Sequence, residues 1–326
     1  MKRRSFIAGL GIAAAWPAVA RAQQRAIPTI GFLHARSRSD TEYMVTAFKQ
    51  ALAETGFVEG RTLQIEWRFA DGQYDRLAEM ASDLVTKKVA LIHAGTDPAA
   101  VAARRATSSI PITFVVGADP VELNLVRSIN QPEGNATGVN ILTGTLEPKR
   151  LGLLRELLGP NRTIAILLNP KFGPRNSIMI SNVETAAATI GWKTKLYFAG
   201  TEPEIEQVLA QIEAEHVAAV DISPDPFFDT RRAKLASWAV QSKIPTMFQF
   251  RESAEAGGLM SYGVDLADTY RQAGLYAARI LKGERPADLP VLQPTKFEFV
   301  INMRTAKALG LTFPPNLISI ADEVIE

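Results

Sequence analysis

From Ile27 onward, short apolar runs rich in β-branched residues alternate with amphipathic segments, and Gly, Pro or Asp stands between most of them. Runs that are apolar throughout and separated by helical segments are typical of a parallel sheet covered by helices on both faces. This alternation restricts the chain to the α/β class. The first half predicts helices at 41–55, 74–86 and 99–107 and strands at 29–33, 63–68, 89–93 and 112–116.

The second half of the chain repeats this alternation. Its predicted strands lie at 163–168, 193–198, 218–222 and 246–248, and its predicted helices at 175–190, 204–215 and 231–242. A chain of 326 residues is long enough for two domains of common size. The repeat therefore predicts two similar α/β lobes, with the changeover near 138–148.

The C-terminal part predicts that the chain returns to the first lobe. A helix at 268–281 has apolar and small residues at helical spacing, and a Pro-rich stretch, a strand at 296–301 and a helix at 305–309 follow it. We therefore expect two doubly wound parallel-sheet lobes joined by a three-crossing hinge. The expected boundaries are 27–140 plus 267–285 for lobe 1, 148–261 plus 297–326 for lobe 2, and 141–147, 262–266 and 286–296 for the hinge crossings.

The first 22 residues have the layout of an export signal. A basic start at 2–4 precedes an apolar run over 6–20, and a small-x-small pattern ends the segment at 20–22. The sequence RRSFI at 3–7 resembles a twin-arginine signal, and the general secretory route is the alternative. A cytoplasmic N-terminal helix or a membrane anchor is the other interpretation, but the apolar run is short for a membrane span.

Charge and cysteine content narrow the class of protein further. Removing the four basic residues of the predicted signal lowers the basic count from 36 to 32, against 34 acidic residues. The exported chain would then have a net charge of −2 and no nucleic-acid signature. The chain has no cysteine, which excludes a lipoprotein anchor, a disulfide and a thiolate metal site. We therefore predict a periplasmic protein that is not a lipoprotein.

Ligands of parallel α/β sheets bind beyond the carboxyl ends of the strands, where loops lead into helix N-termini. The predicted loops of both lobes are small and polar, and they face each other if the lobes do. Free N–H groups at the helix starts near 37–41 and 96–99 can hold a carboxylate. The candidate binding residues in and beside these loops, including aromatic rings that can form flat walls, are His34, Arg36, Gly95, Phe172, Phe227, Phe250 and Tyr262.

Many of these loop residues also have a purely structural interpretation. Ser39 and Asp40 suit helix caps, and the aspartates that precede prolines suit turns. Arg36 suits a solvated position, and Phe227 suits packing between the lobes. Sequence spacing alone does not decide between the structural and the binding roles.

The common catalytic motifs are missing. The sequence has no Gly-x-Ser-x-Gly, no phosphate loop ending in Gly-Lys-Ser/Thr and no His-Glu-x-x-His. The three histidines, His34, His93 and His216, lie on separate segments, so we expect neither a metal site nor a cofactor. Two carboxylates, Asp119 and Asp225, could meet in the cleft as acid and base, which keeps a periplasmic hydrolase as an alternative function.

Five segments of the chain resemble those of a known family. They are 138–151 (GVNILTGTLEPKRL), 225–232 (DPFFDTRR), 257–265 (GGLMSYGVD), 294–302 (PTKFEFVIN) and 306–315 (AKALGLTFPP). Together they resemble the ABC-transporter substrate-binding protein family of the tryptophan-binding (TrpX-like) type. The resemblance extends over about 27–326. It implies a type I periplasmic binding protein, which closes on a small molecule and presents it to an ABC permease in the inner membrane.

The resemblance also implies which positions contact the ligand. The loops after the strands would bind it through Ser37, Thr96, Gly117, Asp119, Asn169 and Asp225, and Thr143 and Tyr262 would lie beside the crossings. Tryptophan-binding relatives tend to have His-Pro in the loop after the first strand, where this chain has His34-Ala35-Arg36. This departure argues against tryptophan itself and leaves a small polar or aromatic, amino-acid-like ligand.

The expected mechanism is a population shift, because only a ligand that bridges both lobes favours their closure. Moving such an equilibrium from 1:99 to 99:1 requires about 10⁴-fold tighter binding by the closed state. We expect a monomer that binds its ligand without converting it. A ligand sensor that docks on a receptor's outer domain would share this fold and differ only in its partner.

Overall fold

The computed structural model of the protein describes residues 27–172 and 175–326. The predicted export segment at 1–22 lies outside the described residues. Within the two described ranges, no helix has both the length and the apolar character that a membrane span requires.

A five-stranded sheet forms the first half of the fold. Its strands are β1 (Thr29–His34), β2 (Gln64–Phe69), β3 (Leu91–Ala94), β4 (Ile112–Val116) and β5 (Ala136–Asn140). They lie in the order β2-β1-β3-β4-β5, and every neighbouring pair is parallel. The four strands predicted for this half are confirmed to within two residues at each end, and β5 was not predicted.

A seven-stranded sheet forms the second half. Its strands are β6 (Thr163–Leu168), β7 (Lys193–Phe198), β8 (Ala219–Ile222), β9 (Thr246–Phe248), β10 (Met260–Val264), β11 (Phe297–Asn302) and β12 (Glu323–Ile325). Their order is β12-β11-β10-β9-β8-β6-β7, and β11 runs antiparallel to β10 while the other pairs are parallel. The predicted α/β class with two predominantly parallel sheets is therefore confirmed.

Helices cover both faces of each sheet. They are α1 (Glu42–Glu54), α2 (Leu77–Thr86), α3 (Asp97–Ala106), α4 (Glu147–Leu158), α5 (Arg175–Thr189), α6 (Glu202–Ala214), α7 (Pro226–Asp229), α8 (Arg232–Gln241), α9 (Arg251–Glu255), α10 (Leu266–Leu281), α11 (Met303–Leu309) and α12 (Pro315–Ser319). Successive strand residues point to opposite faces, so Phe32 packs with Phe48 of α1 while Leu33 packs on the side of Leu84 of α2. Each sheet therefore has a hydrophobic core on both sides.

Helix α10 returns the chain to the first sheet. It packs along α1 so closely that a Cβ atom on Gly274 would lie 2.6 Å from the carbonyl oxygen of Phe48. We call β1–β5 with α1–α3 and α10 the first lobe, and β6–β12 with the remaining helices the second lobe.

The chain passes between the lobes after β5, after β10 and after α10. The last passage follows a short pairing with β5, in which the Leu292 amide donates to the Gly138 carbonyl at 2.8 Å and the Leu292 carbonyl accepts from Asn140 at 2.8 Å. The chain therefore leaves the first lobe only after Leu292, which lies within the crossing expected at 286–296.

Candidate functional site

The loops at the carboxyl ends of the two sheets enclose a cavity between the lobes, with a free volume of about 50 Å³. The cavity is therefore narrow in this arrangement of the lobes. Eight of the predicted site residues line the cavity, and they are His34, Arg36, Gly95, Thr96, Gly117, Thr143, Asp225 and Phe250. The loops at the carboxyl ends of the parallel strands therefore surround this cavity.

Two further predicted residues lie behind the cavity wall and hold Asp225. The Asn169 side-chain amide donates to Asp225 Oδ1 at 2.9 Å, and the Phe227 backbone N–H donates to the same oxygen at 2.8 Å. Asn169 and Phe227 are both buried, but neither lines the cavity. They position a cavity residue, and the expectation of direct lining does not hold for them.

Ser37 and Asp119 also lie away from the cavity. The Ser37 hydroxyl donates to the carboxylate of Asp40, three residues along the same turn. Asp119 is exposed, and its carboxylate accepts from the Val121 backbone N–H at 2.7 Å. Both side chains are used within their own turns, so Asp119 is not brought together with Asp225 as an acid and base.

Tyr262 and Phe172 complete the predicted set. Tyr262 lies within β10, and its ring stacks on Phe297 of β11 with the ring centroids 6.3 Å apart. It belongs to the second-lobe core and does not line the cavity. Phe172 ends the short 3-10 turn Pro170–Phe172, and its side chain lies outside the described part of the chain.

A hydrogen-bonded chain fixes the protonation state of His34, which is fully buried. The Tyr270 hydroxyl donates to the Gly95 carbonyl at 2.6 Å and therefore accepts from His34 Nε2, 2.8 Å away. His34 Nδ1 accepts from the Arg36 backbone N–H at 3.0 Å. Burial and the charge of Arg36 lower the pKa of His34 well below its ordinary value. The imidazole is thus neutral, with its proton on Nε2.

Gly95 leaves no room for a side chain beside this chain of hydrogen bonds. A Cβ atom there would lie 2.3 Å from Cδ2 of His34 and 2.6 Å from the Tyr270 hydroxyl oxygen, and both rings are buried. We expect Gly95→Ala to lower the free energy of unfolding by about 1–3 kcal/mol, as overpacking of a core does.

The matched control for Gly95→Ala is Gly152→Ala. Gly152 lies within α4, and a Cβ atom there meets nothing within 4 Å. We expect this substitution to stabilise the protein by up to about 1 kcal/mol. Urea unfolding of both variants measures the difference, and equal stabilities would contradict the packing described for Gly95.

Arg36 and Asp229 form an ion pair across the cavity, between the first lobe and the second. Both side chains are at least nine-tenths buried, with exposed fractions of 7% and 10%. The guanidinium also lies over the Phe250 ring, 5.2 Å from its centroid. Burial raises the pKa of Asp229 above its ordinary value, although the charge of Arg36 opposes the shift. The pair thus joins the lobes inside the cavity.

Asp225 is the other carboxylate of the cavity. Its Oδ1 accepts from Asn169, from the Phe227 N–H and from the Tyr74 hydroxyl, which lies 2.6 Å away. Its Oδ2 is buried and has no hydrogen-bond partner in the described ranges. Burial raises the pKa of Asp225 to about 6, against the hydrogen bonds from Asn169 and Tyr74. The carboxylate therefore has one occupied oxygen and one oxygen available to a ligand.

Three more side chains of the cavity have a buried polar atom without a partner among the described residues. They are the Nε of Arg36, the Oγ1 of Thr96 and the Oε1 of Gln249. Thr96 immediately precedes α3, whose N-terminus favours negative charge. Buried polar atoms are normally hydrogen-bonded, so these three atoms are candidate polar contacts for a ligand.

The sequence analysis missed ten lining residues. They are Met44, Asp97, Val115, Ile141, Pro224, Pro226, Asp229, Gln249, Leu266 and Tyr270. Most are apolar or lie on helices, so neither their residue type nor their place in the sequence indicates a binding site. Asp229 had a detectable signal, because it follows Asp225 by four residues and precedes Arg232 by three, the spacing of polar residues on one face of a continuous helix. In the structure the three residues belong to the start of α7, its end and the start of α8.

Asp225, Asp229 and Arg232 each contact the first lobe. Asp225 accepts from Tyr74, Asp229 pairs with Arg36, and Arg232 pairs with Asp40 at 3.0 Å. Asp40 therefore bridges the lobes, and the helix-capping interpretation was wrong, since no side chain caps α1. The segment 225–232 is the main polar contact of the second lobe with the first.

The described ranges contain no group of three His, Asp or Glu side chains placed to hold a metal ion. His93 lies in β3, where its Nδ1 is 3.1 Å from the Thr113 hydroxyl, and burial lowers its pKa to about 3. Its second ring nitrogen lies in the first-lobe core. His93 is therefore a neutral core residue.

Comparison with known proteins supports a shared architecture over the whole described chain. A family model described as "ABC transporter substrate binding protein" matches residues 34–325. A tyrosine-binding protein of Clostridioides difficile is 26% identical over 264 residues, which cover 81% of this chain and 75% of the relative.

Solved structures extend the comparison. An ABC domain from Streptococcus pneumonia in complex with L-Trp is 25% identical, with a TM-score of 0.84 over 91% of this chain and 99% of the other. A ligand-free, open structure of a substrate-binding protein with adhesive properties from Clostridium difficile is 24% identical, with a TM-score of 0.67 over 92% of this chain and 99% of the other.

Proposed function

Because this chain belongs to the ABC transporter substrate-binding protein family, we propose that it is the periplasmic receptor of an ABC importer. In this role it binds an amino acid in the cavity between its lobes and delivers it, chemically unaltered, to a permease in the inner membrane. The export signal expected at 1–22 supports the periplasmic location, and the family supports the permease. We propose that it acts as a monomer.

The observation that carries the proposed ligand is the set of unpartnered polar atoms around the cavity. Arg36 Nε and the N-terminus of α3 beside Thr96 favour a carboxylate, and both belong to the first lobe. Asp225 Oδ2 and Gln249 Oε1 are acceptors from the second lobe, and they favour an ammonium group. An amino-acid zwitterion satisfies both sets at once and thereby bridges the lobes.

The rest of the cavity wall favours an apolar or aromatic side chain on the ligand. Met44, Val115, Ile141 and Leu266 form an apolar surface, and Phe250 adds an aromatic ring. The relatives support the same class, since one is a tyrosine-binding protein and another is solved with L-Trp. We therefore propose an aromatic or large apolar amino acid.

Closure of the lobes on this ligand is the proposed mechanism. The ligand's two charged ends contact different lobes, so the full set of contacts forms only when the lobes are closed. The higher TM-score against the L-Trp complex, 0.84 against 0.67 for the open structure, is consistent with a closed arrangement here.

We propose that the hinge lies at the crossings 141–147, 262–266 and 286–296. In the first crossing, Leu142 has a φ of 51°, a left-handed conformation that few leucines adopt. Arg150 joins the first two crossings, because its guanidinium donates to the carbonyls of Thr143 at 2.8 Å and Tyr262 at 3.2 Å. These contacts support a hinge made of coupled segments.

A thermal-shift screen of amino acids and aromatic acids tests the proposed function. A ligand at 100 times its Kd adds about 2.7 kcal/mol to the free energy of unfolding. We expect L-tyrosine or another large apolar amino acid to stabilise the protein. Tyramine and N-acetyl-L-tyrosine each lack one of the two charges and should stabilise it far less. If no amino acid shifts the transition, or if a converted product accumulates, the proposal is wrong.

A further inference from the structure

The hydrogen bonds to Asp225 come from both lobes. Asn169 and the Phe227 N–H belong to the second lobe, as Asp225 itself does. Tyr74 is the only donor to Oδ1 in the described ranges that belongs to the first lobe, and its hydroxyl is the nearest, at 2.6 Å. The hydrogen bond between Tyr74 and Asp225 therefore exists only when the lobes are closed.

Tyr74 lies where the two lobes meet. It begins the 3-10 turn Tyr74–Arg76, which follows β2, and its ring packs against hydrophobic clusters of both lobes. Its hydroxyl is also 3.2 Å from the Phe227 backbone N–H, which donates to it. The residue does not line the cavity, so it can act on a ligand only through Asp225.

The charges around Asp225 make its ionised form depend on its hydrogen bonds. Burial raises its pKa to about 6, and the hydrogen bonds from Asn169 and Tyr74 oppose the shift. The negative charge of Asp229 raises the pKa further. The other charged groups of the cavity are Arg36, which pairs with Asp229, and Asp97, which accepts from two backbone N–H groups, and His34 is neutral. Tyr74 thus supports the charge of Asp225 from the first lobe.

We propose that Tyr74 is a positioning residue that couples lobe closure to recognition of a cationic group on the ligand. Asp225 connects the two events through its two oxygens, with Oδ1 bound to Tyr74 of the opposite lobe and Oδ2 bound to the ligand's ammonium group. The inference rests on the proposed function, because that function supplies the ammonium group. Closure and ligand charge then reinforce each other, since each favours the ionised carboxylate.

The test variant is Tyr74→Phe, which removes the hydroxyl and keeps the ring. The matched control is Tyr276→Phe, because Tyr276 is another first-lobe tyrosine with one hydrogen bond, from its hydroxyl to the Pro290 carbonyl at 2.9 Å, and it does not line the cavity. Two readouts are used. They are titration calorimetry with L-tyrosine and L-tryptophan at pH 8, and the ¹³C carboxyl titration of Asp225 in the ligand-saturated and the ligand-free protein.

We expect Tyr74→Phe to weaken binding about tenfold at pH 8, the loss typical of one hydrogen bond to a charged group. We also expect the Asp225 pKa of the ligand-saturated protein to rise by about one unit, because the ionised form loses a donor. The titration of the ligand-free protein should not change, because opening of the lobes separates Tyr74 from Asp225. Tyr276→Phe should change neither the affinity nor the titration.

Two results would overturn the inference. One is an unchanged affinity in Tyr74→Phe, and the other is a loss of affinity with an unchanged Asp225 titration in the ligand-saturated protein, which means that Tyr74 only packs. Failure of the proposed function looks different, because the wild type would then bind neither amino acid. In that case the inference fails together with the proposed function, which supplies the ammonium group.

Discussion

Asp225→Asn is expected to weaken the binding of L-tyrosine or L-tryptophan by about 100-fold or more while leaving the protein folded. The amide has the shape of the carboxylate, so the donors around Oδ1 keep an acceptor. The negative charge that faces the ligand's ammonium group is lost, so the ammonium group is left buried and unpaired. Breaking a buried ion pair from one side costs about 3–5 kcal/mol, and each 1.4 kcal/mol is a tenfold change in affinity.

Asp119→Asn is the matched control for this prediction. The same chemical change is made in the loop that follows β4 of the first sheet, but Asp119 is exposed and does not line the cavity. Titration calorimetry should give the wild-type affinity for this variant. Equal losses in the two variants, or wild-type affinity in Asp225→Asn, would contradict the assigned role of Asp225.

Arg36→Met is expected to weaken ligand binding by about the same factor as Asp225→Asn, because it destabilises the closed state. The substitution leaves the Asp229 carboxylate without its cation, at a position where closure removes it from water. The cost of about 3–5 kcal/mol for an unpaired buried charge then falls on the closed form and reduces its population. The ligand also loses the Nε donor of Arg36. Calorimetry measures the affinity, and small-angle scattering with and without ligand measures closure.

Two further variants separate the contributions to this effect. Arg232→Met breaks the partly exposed pair with Asp40 at the rim, and we expect a loss of only a few-fold, as for other surface pairs. The double variant Arg36→Met/Asp229→Leu removes both partners of the buried pair and should regain ligand-free closure, because an apolar replacement is often neutral. A larger loss in Arg232→Met than in Arg36→Met would show that the buried pair does not control closure.

The alternation of apolar runs and amphipathic segments was sufficient to predict the fold class. Every strand predicted in the two halves is present in the structure, and the family match confirms the resemblance of the five quoted segments. The strands β5, β10 and β12 were not predicted, and β5 and β10 each contain a glycine at a close backbone contact. In the structure, a Cβ atom would lie 2.1 Å from the Phe114 carbonyl oxygen at Gly138 and 1.9 Å from that of Gln249 at Gly263. These glycines permit close backbone packing within strands.

The candidate site was predictable only as far as it lies in loops. Residues such as Thr96 and Asp225 follow strands, so the geometry of a parallel sheet places them without knowledge of the lobe arrangement. Tyr270 and Met44 reach the cavity from helices, and their position depends on how α10 and α1 pack on the first sheet. The position of Tyr74 beside Asp225 depends on the contact between the lobes, which no local sequence pattern specifies.

The most direct test of the account is recovery of the bound ligand. The purified protein is dialysed against a mixture of the twenty amino acids at neutral pH, washed and denatured, and the released small molecules are identified and counted by mass spectrometry. We predict about one equivalent of a single aromatic or large apolar amino acid, unaltered, and its loss from the Asp225→Asn variant. Recovery of no amino acid, or of a chemically converted product, would contradict a receptor that closes on its ligand and hands it on.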